Sequence, residues 1–402
     1  MSNARGWIRK LATGSALTTG LAALLAFGRA PHLAAQAVPM ARFTGRTIGT
    51  PIPGGYQILA VDLNKDGKLD LLALGLSPEG DLVWFDNPTW QRHVIASDFS
   101  NMVNLASYDL DGDGIPEIAL AHGFTTSPET SRGGISLLTH GATKADKWTR
   151  RDIDALPTAH RVRFVNVDGR KHVVLVNSPL VGVGATPPDY RTANAIVYYE
   201  APEWKRQTLW ETEGLQHGLL PTTGLGPGRV ETLLSTGFSG IFQHQFDAGR
   251  WITTKLANGS LAAWPRSGTS DVVAGEVNGT DFIGGIEAWH GNEVVVYQRV
   301  GSGWGKRQVI DNQIVDGHAL AAGDLAGNGD AAMVVGERNG KKSTYIYWPP
   351  SKLGGAWTRQ VLDPGMAASG CVVAELSGDR RPDIACIQGA APSVRWYENM
   401  GK

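Results

Sequence analysis

The feature that most restricts this chain is a strand-like segment, led by an aromatic residue, that returns about every fifty residues. It occurs seven times: Phe43 in FTGRTI, Trp90 in WQRHVI, Trp148 in WTRRDI, Trp204 in WKRQTL, Trp251 in WITTKL, Trp304 in WGKRQVI and Trp357 in WTRQVL. Successive spacings are 47, 58, 56, 47, 53 and 53 residues. A repeat of that length holds four strands of about six residues with their turns, which is one blade of a propeller. Such a unit cannot bury its own apolar face, so neighbouring copies must stack.

Two further signals fill in each repeat. An apolar run ending in paired aromatics precedes the led strand: LVWFDNP at 82–88, IVYYEAP at 196–202, YIYWPP at 345–350 and VRWYENM at 394–400. An acidic loop separates two small-residue strands in AVDLNKDGKLDLLAL, SYDLDGDGIPEIALA, AGDLAGNGDAAMVVG and VAELSGDRRPDIACI. Each blade therefore reads as strand a, acidic loop, strand b, loop, strand c, turn, strand d. The C-terminal repeat stops after strand c, and the chain has an orphan d-type strand at Phe43. The expected fold is an all-β, seven-bladed β-propeller with four-stranded blades, closed by this N-terminal strand completing the last blade. Closure removes exposed sheet edges. The expected blades are 55–100, 101–156, 157–214, 215–257, 258–315, 316–364, and 365–402 with 40–49.

Composition agrees and narrows the partners. Among 402 residues there are 51 Gly and 13 Trp, with 19% charged and a net charge of −1. No basic footprint for nucleic acid or a membrane surface exists. Arg5, Arg9 and Lys10, then an apolar run from Ala16 to Phe27 and Ala35-Gln36-Ala37, read as an export signal over residues 1–37. That apolar run is too short to span a bilayer comfortably. The expectation is a secreted or periplasmic protein, residues 38–402 forming one domain without a membrane span in the mature chain, and a monomer. Cys371 and Cys386 flank one hairpin turn, as a disulfide or as two reduced core cysteines.

The repeat resembles the FG-GAP/VCBS family, also seen in the propellers of integrin alpha subunits. The resemblance rests on the loops Asp109-Leu-Asp111-Gly-Asp113-Gly-Ile-Pro-Glu117 and Asp62-Leu-Asn64-Lys-Asp66-Gly-Lys-Leu-Asp70. It implies structural Ca²⁺ in blades one and two, held by Asp62, Asn64, Asp66 and Asp70 and by Asp109, Asp111, Asp113 and Glu117. Alternate carboxylates around a glycine turn supply the hard oxygens that calcium takes. Blades six and seven keep only some of these ligands. Blades three to five have lost the motif, leaving Asp168, the stretch GLGPGRVE and the short RSGTSD as remnants.

Propeller topology puts these loops on one face and the d–a and b–c loops on the other. Six places before the first acidic position stand Tyr56, Val103, His160, His217, Ser260, His318 and Ser369. The start of each b–c loop carries Gly75, His122, Asn177, Thr236, Glu276, Glu337 and Gln388. The expected mouth thus gathers His122, His160, His217 and His318 with Tyr56, Glu276 and Glu337. Two long b–c loops overhang it, one with Arg132 and one with Tyr190 and Arg191; Arg338 follows Glu337. Three chemistries fit this set. The histidines can simply cap strands. They can hold Zn²⁺ or another divalent ion with a carboxylate. They can act as metal-free bases on a sugar acid, with Tyr190 as acid and Arg191, Arg132 or Arg338 stabilising the enolate. Propeller-type polysaccharide lyases and aldos-2-ulose dehydratases are similar in carrying histidines and arginines at the channel mouth. The expected ligand is a carbohydrate or acidic small molecule. The expected activity is that of a carbon–oxygen lyase; the alternative is a non-catalytic binding or adhesion module.

Overall fold

The computed structural model describes residues 40–49, 51–141, 147–169, 172–223, 225, 231–391 and 393–402. The export signal expected over residues 1–37, and most of the GLGPGRVE stretch, lie outside the described residues. All strands fall into seven antiparallel sheets, six of four strands and one of five. The innermost strands are Gly55–Val61, Asn104–Tyr108, Ala159–Asn166, Gln216–Thr223, Asp271–Val277, Gly317–Gly323 and Gly370–Ala374. Each packs beside the next around the ring, and the last packs beside the first. The chain is a seven-bladed β-propeller.

Closure takes the expected form. Strand Phe43–Ile48 pairs antiparallel with Val394–Asn399, placing Phe43 opposite Asn399 and Ile48 opposite Val394. Second strands such as Asp70–Gly75 and Ala332–Glu337 are buried along their whole length. They read as unbroken apolar runs because a neighbouring blade covers each face. Outer strands such as Thr149–Ala155 are largely exposed and carry charges. The largest wholly buried side chains, Trp84, Trp348, Tyr199 and Tyr347, come from the paired-aromatic third strands.

A polar tether that the repeat pattern did not predict joins adjacent blades. The outer strand of one blade ends in an aspartate, and a third-strand tyrosine of the next blade donates to it. The pairs are Tyr199 to Asp154 at 2.6 Å, Tyr347 to Asp311 at 2.8 Å and Tyr397 to Asp363 at 2.8 Å. Arg206, Arg359 and Arg395 pair with the same three carboxylates. A buried carboxylate with such partners is satisfied. Cys371 stands directly opposite Cys386 in blade seven, and the two are disulfide-bonded.

Blade five departs from the sequence reading. RSGTSD is not a shortened a–b loop; it leads into the innermost strand, which starts at Asp271. The a–b hairpin is Asn278-Gly279, with φ of 47° and 71°. An Asn-Gly pair with both φ positive is the turn that matches the twist of two-residue hairpins. The second strand is consequently Thr280–Glu287. The outer strand is Gln308–Asp311, and Trp304 belongs to a short extra strand ahead of it.

Candidate functional site

Four imidazoles from four blades meet at the channel mouth. His160 and His217 sit on the innermost strands of blades three and four, and His318 on that of blade six. The fourth, His290, lies in the b–c loop of blade five. Ring centroids are 4.9 Å apart for His160–His217, 5.0 Å for His217–His290, 5.4 Å for His217–His318 and 5.0 Å for His290–His318. Nitrogens of His217, His290 and His318 all lie within 4.8 Å of one another. His160, His217 and His318 are buried, whereas His290 keeps 24% of its side chain exposed.

For His217, His290 and His318, hydrogen bonds fix which nitrogen carries the proton. Arg338 can only donate, so its 2.9 Å bond to Nδ1 of His290 leaves that nitrogen as acceptor. Nε2 of His290 then donates across 3.2 Å to Nε2 of His217, whose Nδ1 faces the Ser270 carbonyl at 3.2 Å. In parallel, the Tyr56 hydroxyl lies 3.0 Å from Nε2 of His318, and Nδ1 of His318 donates to the Ser369 carbonyl at 2.6 Å. All these rings are neutral. Burial first, then the charges of Arg161 and Arg338, holds His290 down at about 3. Burial likewise drives His160, His217 and His318 well below the ordinary imidazole range. A neutral imidazole with its Nδ1 held by a protein oxygen presents Nε2 as a lone-pair donor.

The other candidates separate into those near this cluster and those away from it. Arg338 bonds Asp316 at 2.7 Å as well as His290, and Asp316 stands 3.5 Å from Nδ1 of His290. Tyr190 is buried and packs edge-on against Trp289, which stacks on His290. Arg191 is exposed, lies over Trp264 and faces Glu213 at 3.6 Å. Arg132 is exposed on its loop. His122 does not join the cluster: its Nε2 bonds Ser136 at 2.8 Å, and Ser136 bonds Asp152. A second-strand side chain at that register lies over its own third strand, not over the axis. Burial, then Arg150, holds His122 at about 4. Glu337 is buried and accepts from Tyr345, the Lys341 amide and the Val315 amide. It braces the two loops that carry Asp316 and Arg338. Glu276 is exposed at the far end of its strand, beside Asp281 on the acidic-loop face. The shifted hairpin of blade five put it there.

The same shift hid His290 and Asp271 from the repeat alignment. Reading Asn278-Gly279 as the hairpin would have set the second strand at 280–287 and His290 just beyond it.

On the opposite face, the blade-two loop winds around its carboxylates. Asp109 accepts from the amides of Gly112 and Gly114, Asp111 from Asp113, Asp113 from Ile115 and Glu117 from Leu110. Oxygens of Asp109, Asp111 and Glu117 lie within 4.8 Å of one another. In blade one, Asp62 accepts from Asn64, Asp66 and Gly67, Asn64 from Asp66, and Asp70 from Leu63 and Asn87.

Two family models match successive stretches of the chain. An FG-GAP-like repeat model matches residues 62–120, the stretch that holds both sharp acidic loops. A model of the aldos-2-ulose dehydratase β-propeller domain matches residues 132–300, which contain His160, His217 and His290. The chain is 24% identical over 329 residues to the aldos-2-ulose dehydratase of Phanerodontia chrysosporium, covering 70% of this chain and 36% of that protein. It thus spans about a third of the length of that relative. Among solved structures, the extracellular domain of a putative one-component system from B. thetaiotaomicron superposes with a TM-score of 0.54 at 10% identity. That match covers 88% of this chain and 39% of the other. The Dos1 propeller gives 0.53 at 12% identity, covering 86% and 79%. These two likenesses show the fold alone.

Proposed function

We propose that the mouth is the active centre of a sugar dehydratase, a carbon–oxygen lyase acting on a carbonyl-bearing sugar. The observation that carries this reading is the convergence of ring nitrogens of His217, His290 and His318, each ring with its Nδ1 turned to a protein oxygen or to the Arg338–Asp316 pair. The likeness to an aldos-2-ulose dehydratase over the blades that supply His160, His217 and His290 supports the substrate class. Three neutral imidazoles, one of them (His318) on the wall of an open cavity, fit a catalytic Zn²⁺ or similar divalent ion. Asp316, 3.5 Å from Nδ1 of His290, is placed to accept that ring's proton when its Nε2 becomes a ligand. Such an ion, when bound, polarises a sugar oxygen.

Dehydration breaks a C–H bond next to the carbonyl and a C–O bond on the following carbon. A C=C bond forms, and the proton and hydroxide leave as water. Tyr56 Oη, beside His318 Nε2, is the proton-carrying group at the wall of the cavity. It gives or takes the proton at the reacting sugar. The test is incubation of the full chain with aldos-2-uloses, following the absorbance of an unsaturated product and the mass loss of one water. Turnover that chelation and His217→Ala abolish is the expected result. No product from uloses or from uronic-acid polysaccharides overturns the reading.

The acidic loops are proposed to hold structural Ca²⁺, through Asp109, Asp111, Asp113 and Glu117 and through Asp62, Asn64, Asp66 and Asp70. Export is proposed from residues 1–37, and the Cys371–Cys386 disulfide supports an oxidising compartment. Among the described residues no helix is long and apolar enough to cross a membrane.

A further inference from the structure

Below the imidazoles the channel wall carries charge that the dehydratase reading does not use. A cavity of about 330 Å³ is enclosed by the innermost strands, with Tyr56 and His318 on its wall. Its other ionisable wall groups are Arg161, Arg163 and Asp271. A second cavity of about 320 Å³ shares Arg163 and Asp271 and has no further charged group on its wall. The rest of both walls is mostly apolar side chains, such as Ile58, Leu105, Pro221 and Val372.

Both guanidiniums line the cavity with few partners, Arg161 buried and Arg163 half-buried. Arg161 is 6% exposed, and its Nε donates to the His217 carbonyl at 3.0 Å. Its Nη2 stands 3.9 Å from Asp271, beyond hydrogen-bond length. Arg163 spends Nη1 on Asn104 and on the Val162 carbonyl, both at 2.7 Å. Asp271 accepts from the Val272 amide. Each guanidinium has five donors in a planar fork, so most of these donors have no protein acceptor among the described residues. Burial, then the charge of Arg161, pushes Arg163 down to about 10, which leaves it charged at neutral pH. Two positive groups against one negative leave an excess positive charge in a site of low dielectric, which an anion would relieve.

We propose that Arg161 and Arg163 form a carboxylate-binding subsite inside the channel, and that the substrate class is a sugar acid. Its carboxylate lies on the two guanidiniums while its ring reaches Tyr56 and His318. The placement of the ring rests on the reading of the mouth as a sugar site; the carboxylate subsite rests on the arginines alone. A single net positive charge matches a monoanion, and a planar pair of oxygens matches a guanidinium fork.

The test is calorimetric titration of the full chain, at low ionic strength, with D-glucuronate, D-glucose and inorganic phosphate. Glucuronate is expected to bind at least about tenfold more tightly than glucose, and Arg161→Gln and Arg163→Gln each to weaken glucuronate by about tenfold or more without moving glucose. Equal affinity for the two sugars, or glucuronate affinity unchanged in both variants, overturns the subsite. Phosphate binding more tightly than glucuronate in an arginine-dependent way overturns the carboxylate assignment. Thermal unfolding checks each variant. Because Arg161 also holds the His217 carbonyl, Arg163→Gln and the charge-keeping Arg161→Lys decide the outcome if Arg161→Gln does not fold. The two readings fail separately. Turnover of a neutral ulose without glucuronate binding sinks the subsite and spares the mouth. Arginine-dependent glucuronate binding without turnover of any sugar does the reverse.

Discussion

The two ends of this ring are built by opposite means. At the acidic-loop end, the candidate ligands of the blade-two loop come from nine consecutive residues, and its carboxylates accept from amides of that same loop. At the mouth, His160, His217, His290 and His318 come from four blades, and each ring is oriented by residues far away in the chain. Ser270 holds His217 from 53 residues away, and Ser369 holds His318 from 51. A local site survives errors in the alignment of distant repeats. A site assembled around an axis depends on the register of every blade that contributes to it.

The sharpest way to break that comparison is at His290. His290→Ala removes a mouth nitrogen and is expected to lower turnover of aldos-2-uloses by about a hundredfold or more. His122→Ala, a histidine that the repeat placed at the mouth but that is bonded to Ser136, is expected to cost less than about threefold. Steady-state kinetics of the two variants decide the matter. Equal losses would mean that the ring positions, not the convergence, carry the activity.

The acidic-loop end should respond to metal and not to the mouth. Saturating the chain with Ca²⁺ at about a hundred times its Kd is expected to raise the unfolding free energy by about 2.7 kcal/mol per site. Asp109→Ala should remove the blade-two share, and His290→Ala should leave the shift intact. A melting temperature indifferent to calcium and chelator would refute the proposed loop sites.

The repeat made the fold legible because strand length, aromatic spacing and loop acidity all carry the same period. Closure was legible from Phe43 and VRWYENM, which supply complementary parts of one sheet. His160, His217, His318 and Tyr56 were found because a fixed offset from the acidic loop holds in blades one, three, four and six. The offset failed in blade five, where no acidic loop survives and a chance serine–aspartate stretch took its place. Arg161 and Arg163 were passed over because alternation along a strand says which face a residue occupies, not whether that face borders a cavity. The aspartates at the ends of the outer strands were visible in WTRRDID and WTRQVLD. Their partners were not, because the tyrosines belong to the next blade.

Those tethers give a pH dependence away from both ends. Burial alone would raise the Asp154 carboxyl, but hydrogen bonds from Arg206 and Tyr199 outweigh it and hold it below the ordinary carboxylate range. Folding therefore favours its charged form. The resulting stability is complete above the unfolded value of 3.8 and is lost as pH falls through the lowered folded value. Asp154→Asn is expected to cost about 1 kcal/mol at neutral pH, a modest figure because Arg206 is 44% exposed, and to flatten the acid limb of the stability curve. Denaturant titrations from neutral pH to below pH ~4 measure both. An acid limb as steep in the variant as in the wild type would remove Asp154 from the account.

The smallest effect is the most discriminating for blade five. Glu276 was expected at the mouth, but it ends the innermost strand on the acidic-loop side, exposed and close to Asp281. Glu276→Gln is therefore expected to leave turnover and sugar-acid affinity within about twofold of wild type, the range of an ordinary surface substitution. Its neighbour in the sheet, Asp281, is paired across the hairpin formed by Asn278-Gly279. If the variant lost activity tenfold, that pairing would have to be wrong. The first strand would then start near Ser260, and His290 would no longer stand in the loop that faces the axis. A neutral substitution on one face thus tests the placement of a histidine on the other, because one two-residue turn sets both.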